Sequence, residues 1–248
     1  MLRRPFARKT QKKEMMGMSI AENVARIQEQ MRAAAIAAGR NPQDILLCAA
    51  TKMNDSDAVR QAIAAGVDCC GENRVQELVQ KQSENAYEGA PVHFIGHLQT
   101  NKVKQVVGKV DLIQSVGSKH LLEAIHKEAA KQGICQEILL EVNVGREESK
   151  SGFLVEELPG MLEKLGEYPH IFVRGLMAIP PICQNPTDSR KFFQEMYNLS
   201  VDITTKKYDN IRVDIMSMGM SDDYREAIAC GSTMIRVGTA IFGPRNYA

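Results

Sequence analysis

One stretch near the end of the chain, VDIMSMGMSDDYREAIACGSTMIRVG at residues 213–238, indicates the fold most clearly. It contains two short apolar runs of strand length, VDIMSMG (213–219) and MIRVG (234–238). Residues 222–229 between them have the apolar spacing of a helix. A strand, a helix and a second strand in this order predict two parallel strands joined by a crossover helix.

The same alternation extends back through the chain. The other strand-like runs are ILLCAAT (45–51), VDCC (67–70), VHFIG (92–96), DLIQSV (111–116), EILLEVNV (137–144) and IFVRGLMAI (171–179). A helix that begins after Ser19, with Glu22 completing a capping box, and that ends at Gly39 precedes the first run. About eight strand–helix units in about 200 residues predict an α/β fold, a closed (β/α)8 TIM barrel with an extra N-terminal helix. An open doubly wound sheet is the alternative.

The net charge of +1 combines two unlike regions. Residues 1–17 hold six basic residues and one acid, and so carry +5, whereas the remainder carries −4. An acidic body argues against nucleic-acid binding, and no apolar run approaches the roughly 20 residues that span a membrane. We expect a single domain over 18–248. The basic segment 1–17 is expected to be a disordered leader that is dispensable for binding, although its composition also resembles a transit peptide.

Three site types are disfavoured by their missing motifs. The six cysteines form no CxxC pair, which favours reduced thiols and a cytoplasmic location. His93 and His97 lie on a strand and its turn rather than on one helical face, so we predict no metal site. Neither a GxGxxG nor a GxxxxGK[ST] motif is present, which argues against dinucleotide and P-loop sites.

Lys52 is the first candidate functional residue. It directly follows the apolar run 45–51, and residues that end the strands of such a barrel lie at its mouth. Partial desolvation there would make a neutral amine available for Schiff-base formation. A lysine that simply reaches solvent at a strand end is the alternative.

A phosphate site is the second candidate. The loops after the last two strands are Ser217-Met218-Gly219 and Gly238-Thr239. Their small residues allow backbone N–H groups to approach an anion, and the hydroxyls of Ser217 and Thr239 add donors. A Schiff-base lysine opposite a phosphate cup indicates pyridoxal phosphate or a sugar-phosphate aldolase, unless the glycines only form turns.

Arg236 is the third candidate, because strand alternation places it on the same face as Gly238. If that face lines the barrel, Arg236 is a buried cation beneath the ligand; an outward Arg236 in a surface pair is the alternative. A guanidinium keeps its proton, so against a pyridine nitrogen it would keep that nitrogen unprotonated and weaken the ring as an electron sink. His97 ends its strand and is a further candidate ligand contact.

These residues stand within motifs that resemble a known family, the pyridoxal phosphate homeostasis proteins (the YggS/PROSC family) of fold type III. The matching motifs are AATK (49–52), CCGENRVQE (69–77), HFIGHLQTNKVK (93–104), SVGSKHL (115–121), VNVGREESKSGF (142–153), RGLMAIPP (174–181) and SMGMSDDYREAIACGSTMIRVGTAIFG (217–243). The resemblance implies a barrel similar to the N-terminal domain of alanine racemase. Two departures from the family pattern, Thr51 before the lysine and Cys70 before GEN, remove none of the expected roles.

The resemblance also implies roles for individual residues. Lys52 is expected to form the Schiff base, Arg236 to face the pyridine nitrogen, and the loops 217–219 and 238–239 to hold the phosphate. Pocket-lining roles are expected for Asn73, His97 and Met177.

The function expected from the resemblance is intracellular homeostasis of pyridoxal 5'-phosphate. The chain would hold the cofactor on Lys52 without robust catalysis and pass it to pyridoxal-phosphate-dependent apo-enzymes, as a cytoplasmic monomer. The alternatives are an amino-acid racemase of the alanine-racemase type and a sugar-phosphate aldolase. Similar racemases use a tyrosine from an additional β-domain, and because this sequence ends at Ala248 we expect no such domain.

Overall fold

The computed structural model describes residues 17–206 and 208–244. Within these ranges eight parallel strands form a closed barrel in which β1 also pairs with β8. The strands are β1 Leu46–Ala50, β2 Cys69–Glu72, β3 Val92–Phe94, β4 Leu112–Val116, β5 Gln136–Val142, β6 Ile171–Ala178, β7 Ile211–Ser217 and β8 Met234–Val237. The predicted (β/α)8 barrel is confirmed, and the open sheet is excluded.

Helices connect the strands on the outside of the barrel. They are α1 Ile20–Ala37, α2 Ser56–Ala64, α3 Val75–Ser83, α4 Lys119–Gln132, α5 Leu158–Leu162, α6 Arg190–Thr205, α7 Tyr224–Ala229 and α8 Thr239–Phe242. Two predicted helices differ from this pattern. The one near 99–107 is a 3-10 helix, Thr100–Gln105, and the one over 155–165 is reduced to short turns around α5, where Pro159 and Gly160 disfavour a longer helix.

The extra N-terminal helix is confirmed. The Ser19 hydroxyl accepts a hydrogen bond from the Glu22 backbone N–H at 3.2 Å, and the Glu22 carboxylate accepts one from the Ser19 backbone N–H at 2.7 Å, which is the predicted capping box. Val24, Ile27 and Met31 bury the inner face of α1 in one cluster with side chains of β1, β8, α7 and α8. Of the predicted leader, residues 1–16 lie outside the described residues.

The core has two layers, as the alternation of side chains along each strand requires. In β5, Ile138 and Leu140 pack outward under the helices, whereas Leu139 points into the barrel. The lumen is filled by Cys48, Cys69, Ile95, Leu112, Leu139, Met177, Ile215 and Met234. This packing closes the barrel from below and leaves the carboxyl ends of the strands as its mouth. Among the described residues no helix is long and apolar enough to cross a membrane.

Candidate functional site

Lys52 lies in a tight turn that leaves β1 at the mouth of the barrel. Thr51 before it is fully buried, Lys52 itself is half-buried, and Met53 after it adopts a left-handed backbone conformation with φ 60°. Asn54 closes the turn by donating from Nδ2 to the Lys52 carbonyl at 3.0 Å. Left-handed backbone is uncommon for a residue with a side chain, so the turn is held by its surroundings.

Arg236 points into the lumen, one strand away from the Lys52 turn. It is 4% exposed, and its Cα is the register partner of Cys48 on β1. Its Nη1 donates to Ser217 Oγ at 2.5 Å and its Nη2 donates to the Ala178 carbonyl at 2.9 Å. Burial lowers the pKa of the guanidinium below its usual value, but an arginine remains protonated in a protein. Arg236 is therefore a fixed, permanent cation at the mouth.

A chain of buried hydrogen bonds continues from Arg236 across the lumen. Because Arg236 can only donate, the Ser217 hydroxyl accepts from it and donates to Gln114 Oε1 at 2.6 Å. The Gln114 amide then donates from Nε2 to His93 Nδ1 at 2.9 Å. These assignments place the His93 ring proton on Nε2. Gln114 was not identified from the sequence. Its position as a polar residue inside the apolar run 111–116 could have indicated that its side chain is buried and hydrogen-bonded.

Cys48, Cys69 and His93 form a buried cluster next to this chain. Their ligand atoms all lie within 4.8 Å of one another, and Cys69 Sγ is 3.5 Å from His93 Nδ1. A hydrogen bond from Cys69 lowers the pKa of Cys48, with contributions from His93 and Arg236, and the same bond raises the pKa of Cys69. Since the Nδ1 lone pair already accepts from Gln114, the imidazole is committed to the hydrogen-bond chain. The predicted absence of a metal site stays a prediction.

The loops after β7 and β8 lie side by side, because these strands pair at Ser217 and Met234. Gly219 has φ 94°, and a Cβ there would lie 2.6 Å from the Ala227 Cβ and 2.9 Å from the Tyr224 Cα. Only glycine lets the loop approach α7 this closely. Thr239 Oγ1 and Ser221 Oγ, 3.3 Å apart, join the two loops.

Two predicted members of the phosphate cup have different surroundings from those expected. The Ser217 side chain is fully buried and its hydroxyl donates to Gln114, so it supports Arg236 instead of facing the cup. The Met218 side chain packs in the outer core, and its backbone N–H donates to the Met234 carbonyl at 3.1 Å. Both positions follow from the alternation of β7, which sends Ser217 inward and Met218 outward.

The remaining predicted residues are spread from the rim to the lumen. Asn73 is half-buried where β2 ends, and its Oδ1 is a buried atom that has no hydrogen-bond partner among the described residues. His97 is exposed, and its Nδ1 lies 3.1 Å from Ser151 Oγ in the loop after β5. Met177 is fully buried in the apolar lumen. Asn73 is therefore the one of these three with a buried polar atom that lacks a partner among the described residues.

Comparisons with known proteins agree with this architecture. The family model described as "Alanine racemase, N-terminal domain" matches residues 18–246. The pyridoxal phosphate homeostasis protein of Aquifex aeolicus is 41% identical over 230 residues, which cover 93% of this chain and 100% of that protein. The Escherichia coli K12 protein of the same name is 36% identical and covers 92% of this chain and 98% of its own length.

A solved structure gives the same result. PipY of Synechococcus elongatus, determined with pyridoxal phosphate bound, superposes with a TM-score of 0.79 at 32% identity, covering 91% of this chain and 100% of PipY. The match runs through nearly the whole barrel in each comparison. The chain belongs to the pyridoxal phosphate homeostasis protein family, within the group that shares the alanine racemase N-terminal domain.

Proposed function

We propose that this protein binds pyridoxal 5'-phosphate at the mouth of its barrel, holds it on Lys52 as a Schiff base, and serves in homeostasis of the cofactor rather than in rapid catalysis. The observation that carries the proposal is the pairing of β1 with β8. It sets the turn that bears Lys52 beside the strand that carries the buried cation Arg236, at the end of the barrel where such folds bind ligands.

The residues at the mouth fit this cofactor. Asn73 Oδ1 is a buried acceptor with no partner among the described residues, and a ligand could supply the missing donor. Gly219 brings backbone close to α7, next to the Gly238-Thr239 loop, which suits a phosphate. Lys52 would supply the amine, and Arg236 the charge opposite the ring nitrogen.

The nature of Arg236 favours storage over turnover. Pyridoxal phosphate acts in catalysis as an electron sink, most strongly when its ring nitrogen is protonated. Arg236 has no proton-accepting atom, and hydrogen bonds anchor it to Ser217 and Ala178. It would leave the ring nitrogen unprotonated, so we propose slow chemistry on any bound amino acid.

Two measurements test the proposal together. Titration with pyridoxal phosphate is expected to give a visible absorption band that saturates at one equivalent, whereas assays with a panel of amino acids should detect no rapid racemisation. A protein that stays colourless would refute cofactor binding. Fast racemisation of any amino acid would instead support the racemase alternative, and capture of a sugar phosphate without a visible band would support the aldolase.

Three sequence-based predictions accompany the proposal. We expect a monomer, a cytoplasmic location, and pyridoxal-phosphate-dependent apo-enzymes as recipients. The first is checked by light scattering of the purified protein. The last is checked by activation of an apo-enzyme faster than free release of the cofactor allows.

A further inference from the structure

Side chains of α3 form hydrogen bonds with the backbone on both sides of Lys52, in the turn that carries it. Lys81 Nζ donates to the carbonyl of Thr51 at 2.8 Å. The Met53 backbone N–H donates to Glu77 Oε2 at 2.7 Å. The residues immediately before and after Lys52 are thus each held through a backbone atom.

Behind the turn lies an ion pair that is buried from solvent. Lys81 Nζ is 2.7 Å from Glu72 Oε2, and the two side chains are 5% and 0% exposed. The same carboxylate accepts from the Thr51 hydroxyl at 3.1 Å and, through Oε1, from the Asn73 backbone N–H at 2.7 Å. Glu72 therefore connects the end of β1, which leads to Lys52, with the end of β2, which leads to Asn73.

All the hydrogen-bond donors of Lys81 can be used to hold the neighbouring backbone and carboxylates in place. Its ammonium group has three N–H donors, and three acceptors surround it: the Thr51 carbonyl, Glu72 and Glu77, the last at 3.3 Å. Its donors are used within the protein.

The physical chemistry of buried ion pairs indicates what this one does. Desolvation of two charges offsets much of their attraction, so such a pair adds little stability over apolar residues of the same size. It does fix the positions of the groups that it contacts. The contacted group here is a turn with left-handed backbone at Met53, a conformation that persists only when its surroundings enforce it.

We propose that Glu72 and Lys81, with Glu77, are positioning residues that hold the Thr51–Met53 backbone and thereby aim Lys52 into the mouth of the barrel. The inference rests on the proposed function, in which Lys52 is the lysine that bonds the cofactor. Its first consequence is independent of the cofactor, because the turn should loosen whenever the ion pair is removed.

The first experiment uses the full chain without cofactor and follows amide hydrogen exchange. The double variant Glu72→Gln/Lys81→Met removes both charges at nearly constant volume, so that neither is left buried alone. Its Met53 amide is expected to exchange about tenfold or more faster than in the wild type. Lys131→Met is the matched control, since it removes an exposed ion pair on α4 and should leave Met53 unchanged.

The second experiment separates covalent capture from binding. The double variant should react with pyridoxal phosphate about tenfold or more slowly, because a small misplacement of a reacting group has large kinetic effects. Its affinity for pyridoxamine phosphate, which lacks the aldehyde, should stay within about twofold of the wild type. If the double variant does not fold, Glu77→Ala, which removes the partner of the Met53 N–H from a partly exposed site, is expected to show both effects to a smaller degree.

The outcomes are distinct. The positioning role would be overturned if the Met53 amide of the double variant exchanged at the wild-type rate. It would also be overturned if the variant lost as much affinity for pyridoxamine phosphate as it lost in its rate of reaction with pyridoxal phosphate. A wild-type protein that captures no pyridoxal phosphate would instead overturn the proposed function, while the exchange result would still decide whether the ion pair holds the turn.

Discussion

At the scale of single residues, Ser217 is the central member of the buried series of hydrogen bonds. It accepts from Arg236 and donates to Gln114, so one hydroxyl satisfies a buried cation and a buried amide. Arg236 is consequently fixed by two neutral acceptors, the Ser217 hydroxyl and the Ala178 carbonyl. The nearby carboxylates Glu141 and Asp223 act to raise the pKa of Arg236, against the effect of burial.

Replacing Ser217 with alanine should destabilise the protein by about 2–3 kcal/mol, because Arg236 Nη1 and Gln114 Oε1 both lose a buried partner. Urea unfolding measures the change. The control is Ser83→Ala at an exposed serine, where we expect a change near zero. Equal stability of the two variants would contradict the role given to Ser217.

Residue types and strand ends made part of this site predictable. Lys52 and Arg236 stand out because charged residues beside apolar strands are conspicuous, and alternation assigns Arg236 and Gly238 to one face. The partners of Ser217 were not predictable in the same way. Alternation tells which face a side chain takes, but not which inward-facing neighbour it meets, so the contact with Gln114, 103 positions away, required the structure.

At the scale of elements, the site depends on two short loops between a strand and a helix. Gly219 packs against the start of α7, and its carbonyl accepts from the Arg236 backbone N–H at 3.0 Å. The loop after β7 is therefore tied both to a helix and to β8. The strands and most helices were predicted because each has a clear period, whereas the 3-10 helix Thr100–Gln105 has too few residues to establish one.

Substituting Gly219 with alanine should both destabilise the fold, by roughly 2 kcal/mol or more, and weaken pyridoxal phosphate binding, because backbone strain adds to a steric clash. Gly133→Ala is the matched control. It also has positive φ, at 66°, but an added Cβ would meet nothing within 4 Å. We expect the control to lose about 1 kcal/mol of stability and no affinity; a Gly219→Ala variant with unchanged affinity would separate this loop from the site.

At the scale of the whole molecule, the residues proposed to bind the cofactor lie at one end of the closed barrel. α1 seals the outside of β1 and β8, the strands at which the barrel closes. Elsewhere His126 on α4 packs edge-on against Tyr168, with 5.4 Å between ring centroids, and near His170. The cluster lies between α4 and the segment that precedes β6.

The cluster predicts how global stability changes with pH. Burial, and then the neighbouring His170, lowers the pKa of His126 below its ordinary value of 6.5. The unfolded chain thus binds a proton more readily, so the stabilisation is complete above pH 6.5 and is lost as the pH falls toward the folded-state pKa. Urea midpoints should decrease between about pH 7.5 and pH 5.5. His126→Phe should reduce that decrease, and an unaltered pH profile in this variant would refute the assignment.

Lys52 is the residue that we propose bonds pyridoxal phosphate. The most direct measurement is to load the protein with the cofactor, reduce it with borohydride, digest it and locate the pyridoxyl group by mass spectrometry. We predict one modified peptide, carrying the label on Lys52, and no label in Lys52→Ala. Labelling that persists in Lys52→Ala, or a label found on Lys81 or another lysine in the wild type, would contradict the assignment of Lys52.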